Sequence, residues 1–332
     1  MLVVACPGQG AQSPGMLAPW LELPGAAELL GTWSDVVGQD LVGHGTTSDA
    51  ETIRDTAVAQ PLLVATALLT ARALLAAGTD QRLDEVDLAT SGGVDVAAGH
   101  SVGEFGAAAI AGVLTDAEAL ALVAVRGAAM ARAAAATPTG MSAMLGGDPE
   151  EVLARLAALG LTAANVNGGG QVVAAGTLEA LAELAAAPPA RTRVVPLQVA
   201  GAFHTTHMAP AVAELAAQAA TVQARDPRTV LLSNADGTRV TSGAQALDRL
   251  VAQVANPVRW DLCQTTLQAM GVTGLIEVAP AGVLTGLARR TLPGVETVAV
   301  KTPADLGTAR DLVARHAGAS HAATPDQQRN PS

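Results

Sequence analysis

Val96-Ala97-Ala98-Gly99-His100-Ser101-Val102-Gly103-Glu104 is the stretch on which the fold turns. Val96–Ala98 is short, apolar and followed by glycine, as a buried strand is. The small apolar residues of Val102–Ala111 read as a helix. Between them, Gly99–Gly103 fits G-x-S-x-G, a pattern whose chemistry requires this strand–turn–helix setting. The turn is sharp, so its serine takes a strained backbone conformation, and a Cβ on either side would strike the neighbouring strand or helix. Ser101 then stands at a helix N-terminus, where free N–H groups and the positive dipole end stabilise negative charge on oxygen. The competing reading is a glycine-rich turn whose serine is incidental; the apolar run in front of it favours the nucleophile.

Outward from this turn, short apolar runs alternate with Ala/Leu-rich segments. Leu2–Cys6, Val230–Leu232, Leu275–Val278 and Val295–Val300 read as further buried strands. Gln60–Ala77, Asp116–Ala136, Ala209–Ala220 and Ala246–Val254 read as helices. Such alternation predicts an α/β fold, a mainly parallel sheet covered on both faces. The middle differs. After the break Thr137-Pro138-Thr139-Gly140, four short strands (Met141–Leu145, Asn165–Val166, Gln171–Ala174, Arg193–Leu197) are separated by helices over Pro149–Leu159 and Leu178–Ala187. The order β-α-β-β-α-β is ferredoxin-like. The expected organisation is a large domain over 1–137 and 198–316, an inserted subdomain over 138–197, and a disordered tail over 317–332, which lacks apolar periodicity.

Composition narrows the function. Half of the 332 residues are apolar, 2% are aromatic, none is tyrosine, and Lys301 is the single lysine. The net charge of -11 argues against nucleic acid, which needs a basic face. Cys6 and Cys263 are too few for a disulfide framework and suit a reducing cytoplasm. Met1–Cys6 carries no basic, extended apolar leader. Ala107–Val125 contains Asp116 and Glu118 and reads as a buried helix rather than a membrane span.

Three more constellations bear on chemistry. Gly8-Gln9-Gly10-Ala11-Gln12 follows the first strand. It continues neither as G-x-G-x-x-G, since Ser13 replaces the third glycine, nor as a lysine-bearing phosphate loop. A strand end of this kind can instead present one backbone N–H beside the N–H after the nucleophile, making a two-donor oxyanion hole. Among six histidines, His316 and His321 fall in or near the tail, His100 is inside the turn and points away from Ser101, and His44 lies in a Gly-rich loop. His204 and His207 remain as bases, with His204 favoured as the start of a helix after a strand. Arg126 lies on a helix of Ala, Val, Leu and Met. A buried guanidinium needs an anionic partner, either a structural Asp or Glu or a substrate carboxylate gripped by its planar fork.

Taken in order, Pro7–Gln12, Gly99–Glu104, Val125-Arg126-Gly127, Gly201-Ala202-Phe203-His204 and Gln253–Trp260 resemble the motifs of malonyl-CoA:acyl-carrier-protein transacylases, over about residues 1–301. Asn165-Val166-Asn167 with Gln171–Gly176, and Glu277–Pro280 with Val283–Leu287, add to the likeness. The resemblance implies an α/β-hydrolase-like large domain with a ferredoxin-like insertion. It implies Ser101 as nucleophile, His204 as base, Arg126 as the clamp on the malonyl carboxylate, and the Gln9 and Val102 amides as the oxyanion hole. It makes the Gln253 main-chain carbonyl the group that orients His204. Phe203 resembles malonyl-selective members. Thr205 and Val102 stand where serine and leucine are usual, and neither change removes a functional atom. Malonyl-CoA and acyl carrier protein are the implied partners, with no metal or redox cofactor, in a cytoplasmic monomer serving fatty-acid or polyketide synthesis. Carrier docking is expected near Arg289 and Arg290 or Arg191 and Arg193. The rivals are a lipase-type serine hydrolase, which would carry a carboxylate between nucleophile and histidine, and a non-catalytic carrier-docking protein.

Overall fold

A computed structural model describes residues 1–76, 78, 80–88 and 91–318. Its strands, in chain order, are β1 (Leu2–Cys6), β2 (Val96–Gly99), β3 (Thr139–Gly146), β4 (Thr162–Gly168), β5 (Gln171–Thr177), β6 (Thr192–Pro196), β7 (Val230–Leu232), β8 (Arg239–Val240), β9 (Val258–Arg259), β10 (Gly274–Glu277) and β11 (Glu296–Ala299). They form two sheets. A six-stranded sheet runs β11-β10-β1-β2-β7-β8, and a five-stranded sheet runs β6-β3-β5-β4-β9.

In the large sheet the pairs from β11 to β7 are parallel and only β8 is antiparallel, against β7. Both faces are covered, so β1 and β2 are buried at every residue and read as continuous apolar runs. The two-residue period still decides which side each residue feeds. Leu2, Val4, Cys6 and Ala97 pack into one core with the helices Thr56–Leu75, Gly103–Ile110 and Asp116–Ala136. Val3, Ala5, Val96 and Ala98 pack into a second core with Trp260–Ala269 and Val283–Thr291. The latter helix is fixed by Glu277 at the end of β10, whose buried carboxylate accepts from the amides of Gly282, Leu284 and Thr285 at 2.8, 2.9 and 2.8 Å.

In the small sheet β3 pairs antiparallel with β5 and β6, and β5 with β4. The helices Pro149–Ala158 and Leu178–Ala186 cover it over a separate core of Met144, Val152, Leu156, Ala174, Leu181 and Leu184. The segment 138–197 is not closed on itself, however. Its edge strand β4 takes a parallel partner, β9, from the C-terminal half.

Several expectations move. The helix expected from Gln60 begins at Thr56, capped by the Asp55 side chain, and runs through Pro61. Pro61 has no N–H to give the Ala57 carbonyl; the Gln39 side-chain amide supplies that bond at 3.0 Å. Ala77, its expected end, lies outside the described residues. Ala107–Val125 is not one helix: Gly112 (φ 78°) turns the chain, and a capping box of Thr115 and Glu118 starts the next helix at Asp116. Thr56–Leu75 and Asp116–Ala136 have the length and hydropathy of a membrane span, with 83% and 56% of their apolar windows buried in this fold. The helices Ala26–Val37, Trp260–Ala269, Val283–Thr291 and Leu306–His316 and the two-residue strands β8 and β9 were not read from sequence. Two residues carry no period to read. Of the expected tail, only Ala317 and Gly318 are described.

Candidate active site

The C-terminal ends of β1 and β2 lie side by side, the position at which open parallel sheets form crevices. Ser101 follows β2 with φ 53°, a left-handed conformation uncommon for a residue with a side chain. The glycines around it are dictated by contact. A Cβ on Gly99 would come within 2.1 Å of the Gly103 backbone, and one on Gly103 within 2.2 Å of the Cys6 carbonyl oxygen. Asn234, just past β7, clamps the turn from the other side. Its Oδ1 accepts from the Ser101 amide (2.7 Å) and its Nδ2 donates to the Gly99 carbonyl (2.7 Å).

His204 Nε2 lies 2.6 Å from Ser101 Oγ, and its Nδ1 lies 2.8 Å from the Gln253 main-chain carbonyl. A carbonyl can only accept, so Nδ1 carries the proton and Nε2 is free to accept from the serine hydroxyl. Burial, then the nearby Arg126 charge, pushes the imidazole down to about 3, so it is neutral at pH 7. The expectation that His204 starts a helix is corrected. It is in the left-handed region (φ 61°), ahead of the single turn Thr206–Met208. Thr205 holds that bend by donating to the Ala202 carbonyl (2.7 Å) and accepting from the His207 amide (3.2 Å). His100 points to the small sheet, with Nε2 2.8 Å from Asn167 Oδ1. His44 is in the helix Leu41–Thr46 rather than a loop, beside Ser48. His321 lies outside the described residues.

Arg126 is buried, with no carboxylate in contact among the described residues. Nη1 donates to Gln60 Oε1 (2.7 Å), and Nη2 to Gln253 Oε1 (2.8 Å) and Ser101 Oγ (3.4 Å). Its Cζ lies 5.7 Å from the centre of the Phe105 ring, and Nε has no hydrogen-bond partner among the described residues. Burial lowers the guanidinium to about 10, which leaves it charged at neutral pH. Of the two sequence readings, the structural Asp or Glu pair is therefore not what the protein has built. Two neutral amide oxygens hold the cation beside the serine, and the Glu104 carboxyl acts on it only from beyond the Gln253 amide.

The remaining site residues gather around the same point. Gln9, Val102 and Phe203 line a cleft of about 240 Å³ with Ser101 and His204. The Gln9 and Val102 amides take no backbone acceptor within the described residues. Asn165, Asn167 and Gln171 from the small sheet form one wall, and Val283, Leu284 and Leu287 form another. The expected docking arginines divide. Arg290 donates to Gln171 at the cleft (3.4 Å), whereas Arg191 and Arg193 flank the start of β6, outside the cleft lining.

Sequence reasoning missed Gln60, Glu104, Asn234 and the Gln253 side chain. All four are buried; Gln60, Glu104 and Gln253 stand among apolar or glycine neighbours, and that mismatch was the available signal, whereas Asn234 sits in the turn-like run Ser233–Gly237 and carries none. Burial raises the Glu104 carboxyl, and the donors from Asn234 and Gln253 and the attraction of Arg126 oppose that rise.

A hydroxyl bonded to a neutral, oriented imidazole is built for nucleophilic attack. A cation with no carboxylate in contact among the described residues, 3.4 Å from that hydroxyl, is built for a substrate bearing negative charge near the reacting carbon. Residues 3–311 match the family described as the acyl transferase domain. The chain is 52% identical over 316 residues to the malonyl CoA-acyl carrier protein transacylase of Mycobacterium tuberculosis strain H37Rv, covering 94% of this chain and all of that protein. It superposes on the crystal structure of MCAT from Mycobacterium tuberculosis with a TM-score of 0.87 at 53% identity, over 93% and 99% of the two chains. A solved complex described as a type II PKS acyl-carrier protein with its malonyl-transacylase gives a TM-score of 0.82 at 30% identity, over 93% and 99%.

Proposed function

Because the chain belongs to the acyl transferase family, among its malonyl CoA-acyl carrier protein transacylases, we propose that it moves malonyl through an ester on Ser101. It is an acyltransferase that carries malonyl from malonyl-CoA to acyl carrier protein. The observation that carries the mechanism is that Ser101 Oγ lies 2.6 Å from His204 Nε2 and 3.4 Å from Arg126 Nη2. His204 takes the hydroxyl proton as Oγ attacks the thioester carbon. The C–S bond breaks, and coenzyme A leaves as a thiol carrying that proton. The carrier's pantetheine thiol then gives its proton to His204 and attacks the ester, and the proton returns to Ser101. The Gln9 and Val102 amides hold the tetrahedral oxygen, at about 3–4 kcal/mol per donor in comparable sites. Arg126 binds the malonyl carboxylate, and Phe203 bounds the pocket beside it.

The Gln253 carbonyl replaces the carboxylate of a hydrolase triad, and a carboxylate-reading arginine has no use in a lipase. Both features favour transfer over the hydrolase reading. Acyl transfer of this kind needs no metal or redox group, and the proposal includes none. We read the large sheet as α/β-hydrolase-like, the small one as a ferredoxin-like insertion, and the protein as a cytoplasmic monomer in fatty-acid synthesis, with a polyketide role open to the same chemistry. Intact mass after incubation with malonyl-CoA tests the core of this. An increment of about 86 Da, malonyl replacing a hydroxyl hydrogen, is expected on the peptide carrying Ser101. An unmodified enzyme that still transfers malonyl would sink the ester mechanism.

A further inference from the structure

Gln253 performs two tasks with two groups. Its main-chain carbonyl orients His204, and its side-chain Oε1 accepts from Arg126. The second task depends on which way the amide faces. Its Nε2 is surrounded by acceptors: the Ser101 carbonyl at 3.1 Å, Asn234 Oδ1 at 3.5 Å and a carboxylate oxygen of Glu104. The other Glu104 oxygen accepts from the Asn234 backbone amide at 2.6 Å. Both contacts of this buried carboxylate are donors, so the hydrogen-bonded form is the ionised one. We propose that Glu104 is a positioning residue for acyl selectivity: its carboxylate holds the Gln253 amide with Oε1 toward Arg126 and so keeps the guanidinium beside the acyl site. The arrangement places a negative charge one amide away from the cation. Arg126 is steadied without its fork being occupied, and a substrate carboxylate meets no competitor in contact. The inference rests on Arg126 as the carboxylate clamp.

Glu104→Gln tests it. A glutamine offers one acceptor oxygen to two donors. Where its NH2 faces Gln253, that amide turns and presents its own NH2 to Arg126. The full-length enzyme is assayed for serine acylation by malonyl-CoA and by acetyl-CoA. Wild type must first favour malonyl; if it does not, the proposed function fails rather than this inference. In folded Glu104→Gln the malonyl-to-acetyl ratio of kcat/KM is expected to fall at least about tenfold, the scale of a hydrogen bond to a charged group, through a raised malonyl KM. Glu104→Asp, which keeps the charge, retains more of the ratio, and carries the test alone should the glutamine variant not fold. In a Gln253→Leu background, Glu104→Gln should change the ratio little further. A ratio unchanged in Glu104→Gln, equal losses for both thioesters, or additive effects in the double variant would each overturn the proposal.

Discussion

The two sheets meet at one cleft and do different work there. The large sheet and its helices deliver Ser101, Arg126, Glu104, Asn234 and Gln253 into one buried network, each side chain or main chain hydrogen-bonded to another member. The small sheet contributes the side chains of Asn165, Asn167 and Gln171 to a wall, and makes its own core elsewhere. The difference reflects what each part must tolerate. Chemistry needs atoms held to a few tenths of an ångström, which a close-packed interior supplies. A binding wall needs complementary groups at an entrance. Damage at Ser101 or His204 should therefore appear in the chemical step, and damage to the groups that position Arg126 or to the wall in substrate affinity.

Ser101→Ala is the hardest break. Transfer and the covalent adduct should both vanish, read by transfer assay and intact mass; a stable malonyl ester elsewhere would move the nucleophile. His204→Ala comes next, with a loss of about 10²–10⁴ in rate, while His207→Ala, on the neighbouring turn, should change little. The same histidine predicts a pH profile. Held at about 3, it stays unprotonated through the ordinary histidine range, so serine acylation should show no histidine limb near pH 6.5, and the loss due to His204 should come only toward the folded value. The sign for stability follows from the depressed value. Below about pH 6.5 the unfolded chain binds a proton that the folded one refuses, so His204 costs stability increasingly as pH falls toward 3 and nothing above that window. Comparing the acid limb of denaturation in wild type and folded His204→Gln checks it.

Arg126→Ala should cost malonyl transfer about 3–5 kcal/mol, the usual scale for breaking a buried pair, while acetyl transfer holds or rises because its pocket loses an unpaired cation. Arg126→Lys should rescue only part, lacking the fork. Parallel kcat/KM series on the two thioesters decide it, and equal losses would make Arg126 structural. The smallest effect belongs to the wall. Asn167→Ala removes the His100 contact and one cleft amide, and should raise KM severalfold, about 1 kcal/mol, with kcat nearly unchanged. A dominant kcat loss there would erase the distinction between the two sheets.

The sequence alone determined what depends on local rules. The turn around Ser101 was legible because its glycines are compelled by contacts within one strand–turn–helix unit, and β1 because continuous burial leaves a continuous apolar run. The succession of strands and helices along the middle segment was legible from its break and its alternating elements. Tertiary structure decided what depends on residues far apart in the chain. Gln60 and Gln253 hold Arg126 across 66 and 127 positions, and Asn234 reaches Ser101 across 133. A buried polar residue announces only that it needs a partner. Which partner it finds is set by the packing of helices and sheet, and so the replacement of a carboxylate by two amides around Arg126 was written nowhere in the local sequence.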